Sequence, residues 1–240
     1  MTGLTAWTGG LAGERDPAQP LLTLHDGPAR VELSGATTAN WVAKSANLLV
    51  DGLGGPQRVG LLLPLHWQSV ALLLAGVATG ATVVVAADPA GLAGCDAAFT
   101  TAEHAAEAVD AGVEDVLALS GHPLGAPCGP LPALVSDYAR EVPSYGDGWG
   151  GPRPTAPTVE VGGAAVVDLP DLGLTPADRV LFAGALGSRA DVAGLLAVLR
   201  AGAALVLLPD PASVALVRVA SDERATASWG VSWEGLRSLK

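Results

Sequence analysis

Lysine is nearly absent from this 240-residue chain, occurring only at positions 44 and 240, and the chain has two Cys, one Met, two Phe and two Tyr. Each shortage excludes something. With so little lysine there is no G-x-x-x-x-G-K-[ST] phosphate loop. Cys95 and Cys128 stand apart with no C-x-x-C, and the four His show no ligand spacing, so neither a zinc site nor redox chemistry is expected and no metal is predicted. Basic charge is also short. The 24 Asp and Glu against 13 Lys and Arg give a net charge of −11, the wrong sign for a nucleic-acid partner, which must be met by a basic footprint. Apolar runs such as Val59–Leu63 and Val70–Ala78 are interrupted at Pro64, His66, Gly76 and Gly80, well short of the ~18–20 residues of a membrane span. The first twenty residues carry Glu14, Arg15 and Asp16 instead of a continuous apolar core, so no secretory signal is read and a cytoplasmic location is expected.

Motifs of common enzymes are missing too. There is no G-x-S-x-G, S-x-x-K or H-E-x-x-H. Gly146 to Gly151 satisfies G-x-G-x-x-G literally, but it neither follows a strand nor opens a helix, and Pro152 and Pro154 follow at once. A dinucleotide fingerprint needs its glycines at a strand-to-helix turn, so this one is rejected.

What remains is ample aliphatic material, 50% apolar residues, arranged with two periodicities. Leu21–Leu24 and Arg30–Leu33 read as a hairpin around Asp26-Gly27-Pro28. Ser34 caps a helix expected over Thr38–Leu53, closed by Gly54, Gly55 and Pro56. Strands are then expected at Arg58–Pro64, Ala81–Ala86, Asp96–Thr100 and Asp115–Ser120, alternating with helices at His66–Thr79 and Ala102–Ala111, with a further helix at Leu131–Val142. Past a Gly- and Pro-rich stretch come strands at Thr158–Val161, Ala164–Asp168, Asp178–Ala183 and Ala203–Leu208, with helices at Arg189–Ala201 and Ala212–Ser221. Continuous apolar strands alternating with helices define an α/β protein whose parallel sheets are covered by helices.

The expected organisation is an N-terminal extension (1–20), a first α/β subdomain (21–142), a Gly/Pro-rich linker or loop (143–157) and a second, smaller α/β subdomain (158–240). Arg58–Pro89 and Arg179–Pro211 share one pattern: Arg-Val, apolar strand, Leu-rich helix, Gly-Ala, Val- or Leu-rich strand, Asp-Pro. They read as two similar βαβ halves.

Open α/β sheets bind ligands outside the carboxyl ends of their strands, so the candidate ligand-binding residues are His66, Trp67, Gln68, Thr100 and Ser120. His66 could act as an acid, a base or a hydrogen-bond donor, or simply cap the helix that follows it. Asp88 and Asp210 precede prolines and suit turns, and Ser188 suits a helix cap. No catalytic residue is assigned. Trp149, Trp229 and Trp233 suggest surface aromatics for a protein partner.

The helix segment Ala46-Asn47-Leu48-Leu49, the Arg58-Val59-Gly60 strand and the stretch Ala75 to Asp88 together resemble the N-terminal part of the adenylate-forming AMP-binding superfamily, the acyl-CoA synthetase-like enzymes. Leu174 to Asp210 is similar to a later segment of those enzymes, and the resemblance is nearest to a small actinobacterial family of their relatives. It implies the fold of their N-terminal domain. Those enzymes place a Ser/Thr/Gly-rich, lysine-containing phosphate loop between the two matched regions; here the interval Pro154–Pro170 has none, and Gln57 replaces an expected Asp. Their adenine-site and ribose-site segments, hinge and C-terminal domain also find no counterpart. The resemblance therefore implies a non-catalytic binding or regulatory protein with no cofactor of its own, retaining at most weak affinity for ATP, AMP or CoA. The alternative is a protein or enzyme that takes an acyl or nucleotide-like small molecule in the crevice at the strand ends. The partner is thus a protein or a small molecule, with no nucleic acid and no membrane span.

Overall fold

A computed structural model describes residues 16–151, 158–232 and 234–240. Strands β1 (Pro20–Asp26) and β2 (Ala29–Ser34) form the expected hairpin, turning at Gly27 with φ +54°. Ser34 Oγ accepts from the Thr37 N–H and opens α1 (Gly35–Asn47), which starts three residues earlier than the sequence predicts and ends in a π-helical turn over Leu48–Gly52. That turn finishes on glycine for a steric reason. A Cβ at Gly52 would lie 2.3 Å from the Tyr145 hydroxyl.

Then come β3 (Arg58–Leu62), α2 (Trp67–Thr79), β4 (Thr82–Val85), β5 (Ala97–Thr101), α3 (Ala105–Asp110) and β6 (Asp115–Leu119). The next element corrects the reading. Residues 131–142 do not form one helix but a strand, β7 (Val135–Asp137), followed by the short helix α4 (Tyr138–Glu141). Leu134, with φ +68° and 82% of its surface exposed, breaks the helical path. Beyond lie β8 (Thr158–Val161), β9 (Ala164–Ala165), β10 (Arg179–Phe182), α5 (Arg189–Arg200), β11 (Ala204–Leu207) and α6 (Leu216–Asp222). The chain closes with β12 (Ala227–Trp229) and β13 (Arg237–Ser238), two strands too short to show a pattern in sequence.

Two sheets result. Sheet A runs β13-β12-β10-β11-β1-β2 and sheet B runs β7-β6-β5-β3-β4-β8-β9. All pairs are parallel except β1/β2 and β8/β9. Each sheet draws strands from both sides of 143–157, so sheet membership does not follow the expected subdomain boundary: β1 pairs with β11, and β4 with β8. The two βαβ halves sit in different sheets.

Strand alternation sorts the side chains into layers. Leu22 and Leu24, Val59 and Leu61, Val83 and Val85, Val180 and Phe182, and Leu205 and Leu207 face one shared core, filled by α1, α2 and α5. On the far side of sheet B, Ala98, Val116 and Ala118 meet Ala105 and Ala108 of α3. On the far side of sheet A, Leu181 and Val206 meet Val219 and Ala220 of α6. The order is therefore helix, sheet, helices, sheet, helix. Gly76 lets β4 approach α2, since a Cβ there would lie 2.5 Å from Val83.

The outer face of sheet A also carries a buried charge. Glu223, 4% exposed at the C-terminal end of α6, lies 2.7 Å from His25 Nε2 and accepts from Arg30 Nε at 2.7 Å and from the Arg179 guanidinium. Arg179 also donates to Thr23 Oγ1 at 2.7 Å. Burial by itself would raise the Glu223 pKa, but the hydrogen bonds from Arg30 and His25 and the fields of the two guanidiniums hold it down to about 2. A carboxylate opposes the dipole at a helix C-terminus, so these cations are what let it sit there.

Glu223→Gln leaves the Arg30 and Arg179 guanidiniums with only the half-exposed Glu32 as counter-charge and is expected to destabilise the fold by about 3 kcal/mol, the low end for a broken buried pair because Glu32 remains and Arg30 is partly solvated. Because the folded pKa is depressed, this stability is present above pH 4.5 and is lost as pH falls toward 2. Urea unfolding of both proteins across that range checks it: the variant should lose this part of the pH dependence.

Candidate functional site

Sheet B ends at its carboxyl edge in a small polar cluster around the start of α2. The chain leaves β3 through Leu63-Pro64-Leu65 and reaches His66 in extended conformation, φ −151° and ψ 156°. His66 Nδ1 accepts from the Gln68 N–H at 3.2 Å, which caps the helix. With Nδ1 accepting, the ring proton is assigned to Nε2. Ser69 Oγ donates back to the Pro64 carbonyl at 2.8 Å and fixes the entry turn.

A loop over residues 120–126 covers this end of the helix. Trp67 Nε1 donates to the Pro123 carbonyl at 2.8 Å, and the indole packs edge-on against Trp41 with centroids 5.0 Å apart. Ser120 Oγ donates to the Ala126 carbonyl at 2.5 Å and accepts from the His122 N–H, so it staples the loop to itself. Gly125 must be glycine here. Its φ is +68°, and a Cβ would lie 2.6 Å from Gln68 Nε2 and 2.9 Å from the Trp67 ring.

Polar capacity is left over under that loop. Among the described residues, six buried side-chain polar atoms lack a hydrogen-bond partner, and four of them are His66 Nε2, Gln68 Oε1, Thr100 Oγ1 and Thr101 Oγ1. His66, Gln68 and Thr101 line a recess of about 10 Å³, space for about one water molecule, with Leu63, Pro64, Leu119 and Gly121. His66 is 5% exposed and Gln68 1%. Desolvation pushes the His66 pKa down to about 4; the Pro123 carbonyl offsets part of the shift, and His122 adds slightly to it. His66 is therefore a neutral donor at neutral pH.

The structure brings His66, Trp67 and Gln68 together at the start of α2 and places the other two candidates outside the recess. Thr100 lies on the opposite face of β5 from Phe99, turned toward the α3 side, and its neighbour Thr101 lines the recess instead. Ser120 lies outside the recess, in the covering loop. Asp88 and Asp210 close turns by accepting from the Gly91 and Ala212 N–H groups, and Ser188 caps α5. Trp229 is not a surface aromatic: it is 5% exposed and stacks on Phe182. Trp149 is half-buried against the core, and Trp233 lies outside the described residues.

A second polar centre was not anticipated. Asp191, 6% exposed in the first turn of α5, accepts from the Ala185 N–H at 3.0 Å, from Trp229 Nε1 at 2.8 Å and from the Lys240 ammonium. Its sequence signal is slight: an acidic residue three positions after a Ser cap.

The architecture is that of the N-terminal domain of adenylate-forming enzymes. The N-terminal domain of FACL13 from Mycobacterium tuberculosis superposes with a TM-score of 0.68 at 16% identity, over 96% of this chain and 63% of that one. The anthranilate CoA ligase AuaEII superposes with a TM-score of 0.71 at 16% identity, over 94% of this chain and 48% of that one. An acyl-CoA synthetase from Brucella canis gives 0.70 at 16% identity, over 90% and 45%. The chain thus spans about half to just under two thirds of these solved structures. No family model matches it. A TIGR03089 family protein of Mycobacterium tuberculosis is 39% identical over 229 residues, 88% of this chain and 91% of that protein, and the chain belongs to that family.

Since the folded state keeps His66 neutral down to about pH 4 while the unfolded chain protonates near 6.5, stability is full above 6.5 and falls between those values, by up to about 3 kcal/mol. His66→Asn retains an acceptor for the Gln68 N–H and cannot titrate, so urea midpoints measured from pH 7 to 4 should flatten in that variant. Trp67→Ala empties a fully packed position and should cost about 3–5 kcal/mol, read as a lowered thermal midpoint.

Proposed function

We propose that this protein is a non-catalytic binding or regulatory member of the adenylate-forming scaffold. One observation carries the reading. The interval Pro154–Pro170, where the resemblance leads one to look for a cationic phosphate loop, holds Glu160 and Asp168 and no Lys or Arg at all. Acyl adenylation needs cationic donors and a divalent ion to offset charge on a pentavalent α-phosphate, and losing one such donor typically costs ~10²–10³ in rate.

Several cations elsewhere in the described residues are committed to the fold. Lys44 donates to the Tyr145 carbonyl at 2.6 Å and pairs with Asp147. Lys240 is held by Asp191, and Arg179 by Glu223. Arg200 and Arg237 donate to carbonyls of Pro170 and Gly173. An incoming triphosphate would have to break these contacts to recruit them.

Incubated with ATP, Mg²⁺ and a broad panel of carboxylic acids, the protein should release no pyrophosphate above a protein-free control. Turnover that co-elutes with the protein through a second purification would overturn the reading. Thermal shifts with Mg-ATP, AMP and CoA extend the test: saturable stabilisation would mark a nucleotide-binding role, and its absence would point to a protein partner.

A further inference from the structure

Sheet B ends at β9 in an edge that carries none of the usual guards. In the β8/β9 hairpin Val161 pairs with Ala164 and Glu160 with Ala165, and the Val166 N–H donates to the Val159 carbonyl at 2.7 Å. Antiparallel pairing therefore commits the main-chain groups of Ala164 and Val166 to β8 and directs those of Ala165 and Val167 outward, to a side that no described strand covers. Natural edge strands are kept from pairing by lysine, proline or a bulge. Here Ala164 to Val167 is uncharged, and Val167 is 79% exposed.

Helix α5 flanks this edge and, with residues 165–168, encloses a groove of about 330 Å³ in which Ala190 and Ala193 leave room for a strand to lie. The two charged residues of the groove serve nothing within one chain. Arg189 opens α5, where a cation opposes the helix dipole, and among the described residues neither its guanidinium nor the Asp168 carboxylate has a hydrogen bond or ion pair. Their placement keeps them apart. α5 runs in the same direction as the strand, its last residue Arg200 donating to the Leu169 and Pro170 carbonyls, so Arg189 lies toward Ala165. Asp168 sits three residues further along, about 10 Å at the rise of an extended chain.

We propose that this edge pairs antiparallel with the same edge of a second copy of this chain, about a two-fold axis at Val166. In that register Ala165 and Val167 of each copy exchange main-chain hydrogen bonds with Val167 and Ala165 of the other. Asp168 comes opposite Ala164 of the second copy. By strand alternation it shares the inner face with Val166, which packs in the core beside α5, and so each carboxylate reaches the Arg189 that it misses in its own chain. The contact occurs twice, as an isologous interface requires. Charge complementarity selects this occupant: a second copy brings one carboxylate and one guanidinium to a groove that holds one of each, whereas a uniformly acidic or basic segment would set one charge against its like. The pairing is independent of whether the chain adenylates anything. Loss of association and appearance of pyrophosphate release would be separate results.

Sedimentation equilibrium of the full chain, from low to high micromolar concentration, tests the proposal and should fit a monomer–dimer equilibrium. Val167→Pro removes an outward N–H without touching a bond to β8, and should weaken the dimer at least about tenfold with an unchanged thermal midpoint. Asp168→Arg and Arg189→Asp, both at exposed positions, each place like charges face to face at both contacts and should likewise cost about tenfold or more. Mixed in equal amounts, these two variants are complementary at both contacts, and they should form a heterodimer within about threefold of the unmodified dimer's affinity. If Val167→Pro does not fold, the charge variants decide alone. A chain that stays monomeric at every concentration would overturn the proposal and leave the edge to an extended segment of another protein. A dimer that the charge reversals do not weaken, or single variants that fail to associate on mixing, would overturn it equally.

Discussion

Helix α2 is the piece that everything else is arranged around. Twelve of its thirteen residues are buried, because sheet B lies on one side, sheet A on the other and α1 alongside. A helix buried all round cannot send its end groups to water, so its first N–H groups and last carbonyls must find partners in protein. At the far end Gly80, with φ +85°, turns the chain so that the Gly80 and Ala81 N–H groups return to the last turn. At the near end His66 Nδ1 takes the Gln68 N–H, while Ser69 fixes the entry turn and the covering loop accepts from the Trp67 indole. The polar cluster at the carboxyl edge of sheet B is thus a direct consequence of placing an apolar helix between two sheets.

The second constraint is closure of the chain upon itself. The hairpin β1–β2 has no sheet of its own; it joins β11, some 180 residues later, through the register Leu22 to Leu205, Thr23 to Val206 and Leu24 to Leu207. Hydrophobic burial on the inner face does not by itself choose that partner strand, since many apolar strands are available. The outer face supplies selectivity. His25 and Arg30 from the hairpin, Arg179 from β10 and Glu223 from α6 meet only if the hairpin docks beside β11 in this register, and a slip of one residue would turn His25 inward.

How much of this is legible in the sequence depends on the range over which each feature is determined. Ser34, Gly27, Gly80 and the strand-helix alternation act within a few residues, and the elements they announce are present. Residues 131–142 failed because Leu131, Leu134, Val135, Tyr138 and Val142 fall at helical spacing, whereas the backbone at Leu134 is left-handed and Val135–Asp137 is claimed by β6. Tertiary pairing overrode local period. The choice between Thr100 and Thr101 needs knowledge of which face of β5 meets α2, and the Glu223 and Asp191 centres join residues up to 198 apart. Sheet membership does not follow a linear boundary at 143–157 for the same reason: pairing of β1 with β11 and of β4 with β8 is long-range across it.

The two βαβ halves show how one scaffold yields two different helix starts. In the β10-α5-β11 half, Ser188 caps the helix and Asp191 is saturated by the Ala185 N–H, the Trp229 indole and Lys240, so the position is closed and charged within itself. In the β3-α2-β4 half, the cap is an imidazole with one nitrogen to spare, and the residue beside it is an amide with one oxygen to spare. A Ser cap spends its oxygen on the backbone and leaves only a hydroxyl proton. Histidine caps with one edge and keeps a second, rigidly directed donor on the opposite edge of the ring. That difference in geometry, more than any difference in sheet topology, is what leaves polar groups available at the start of α2.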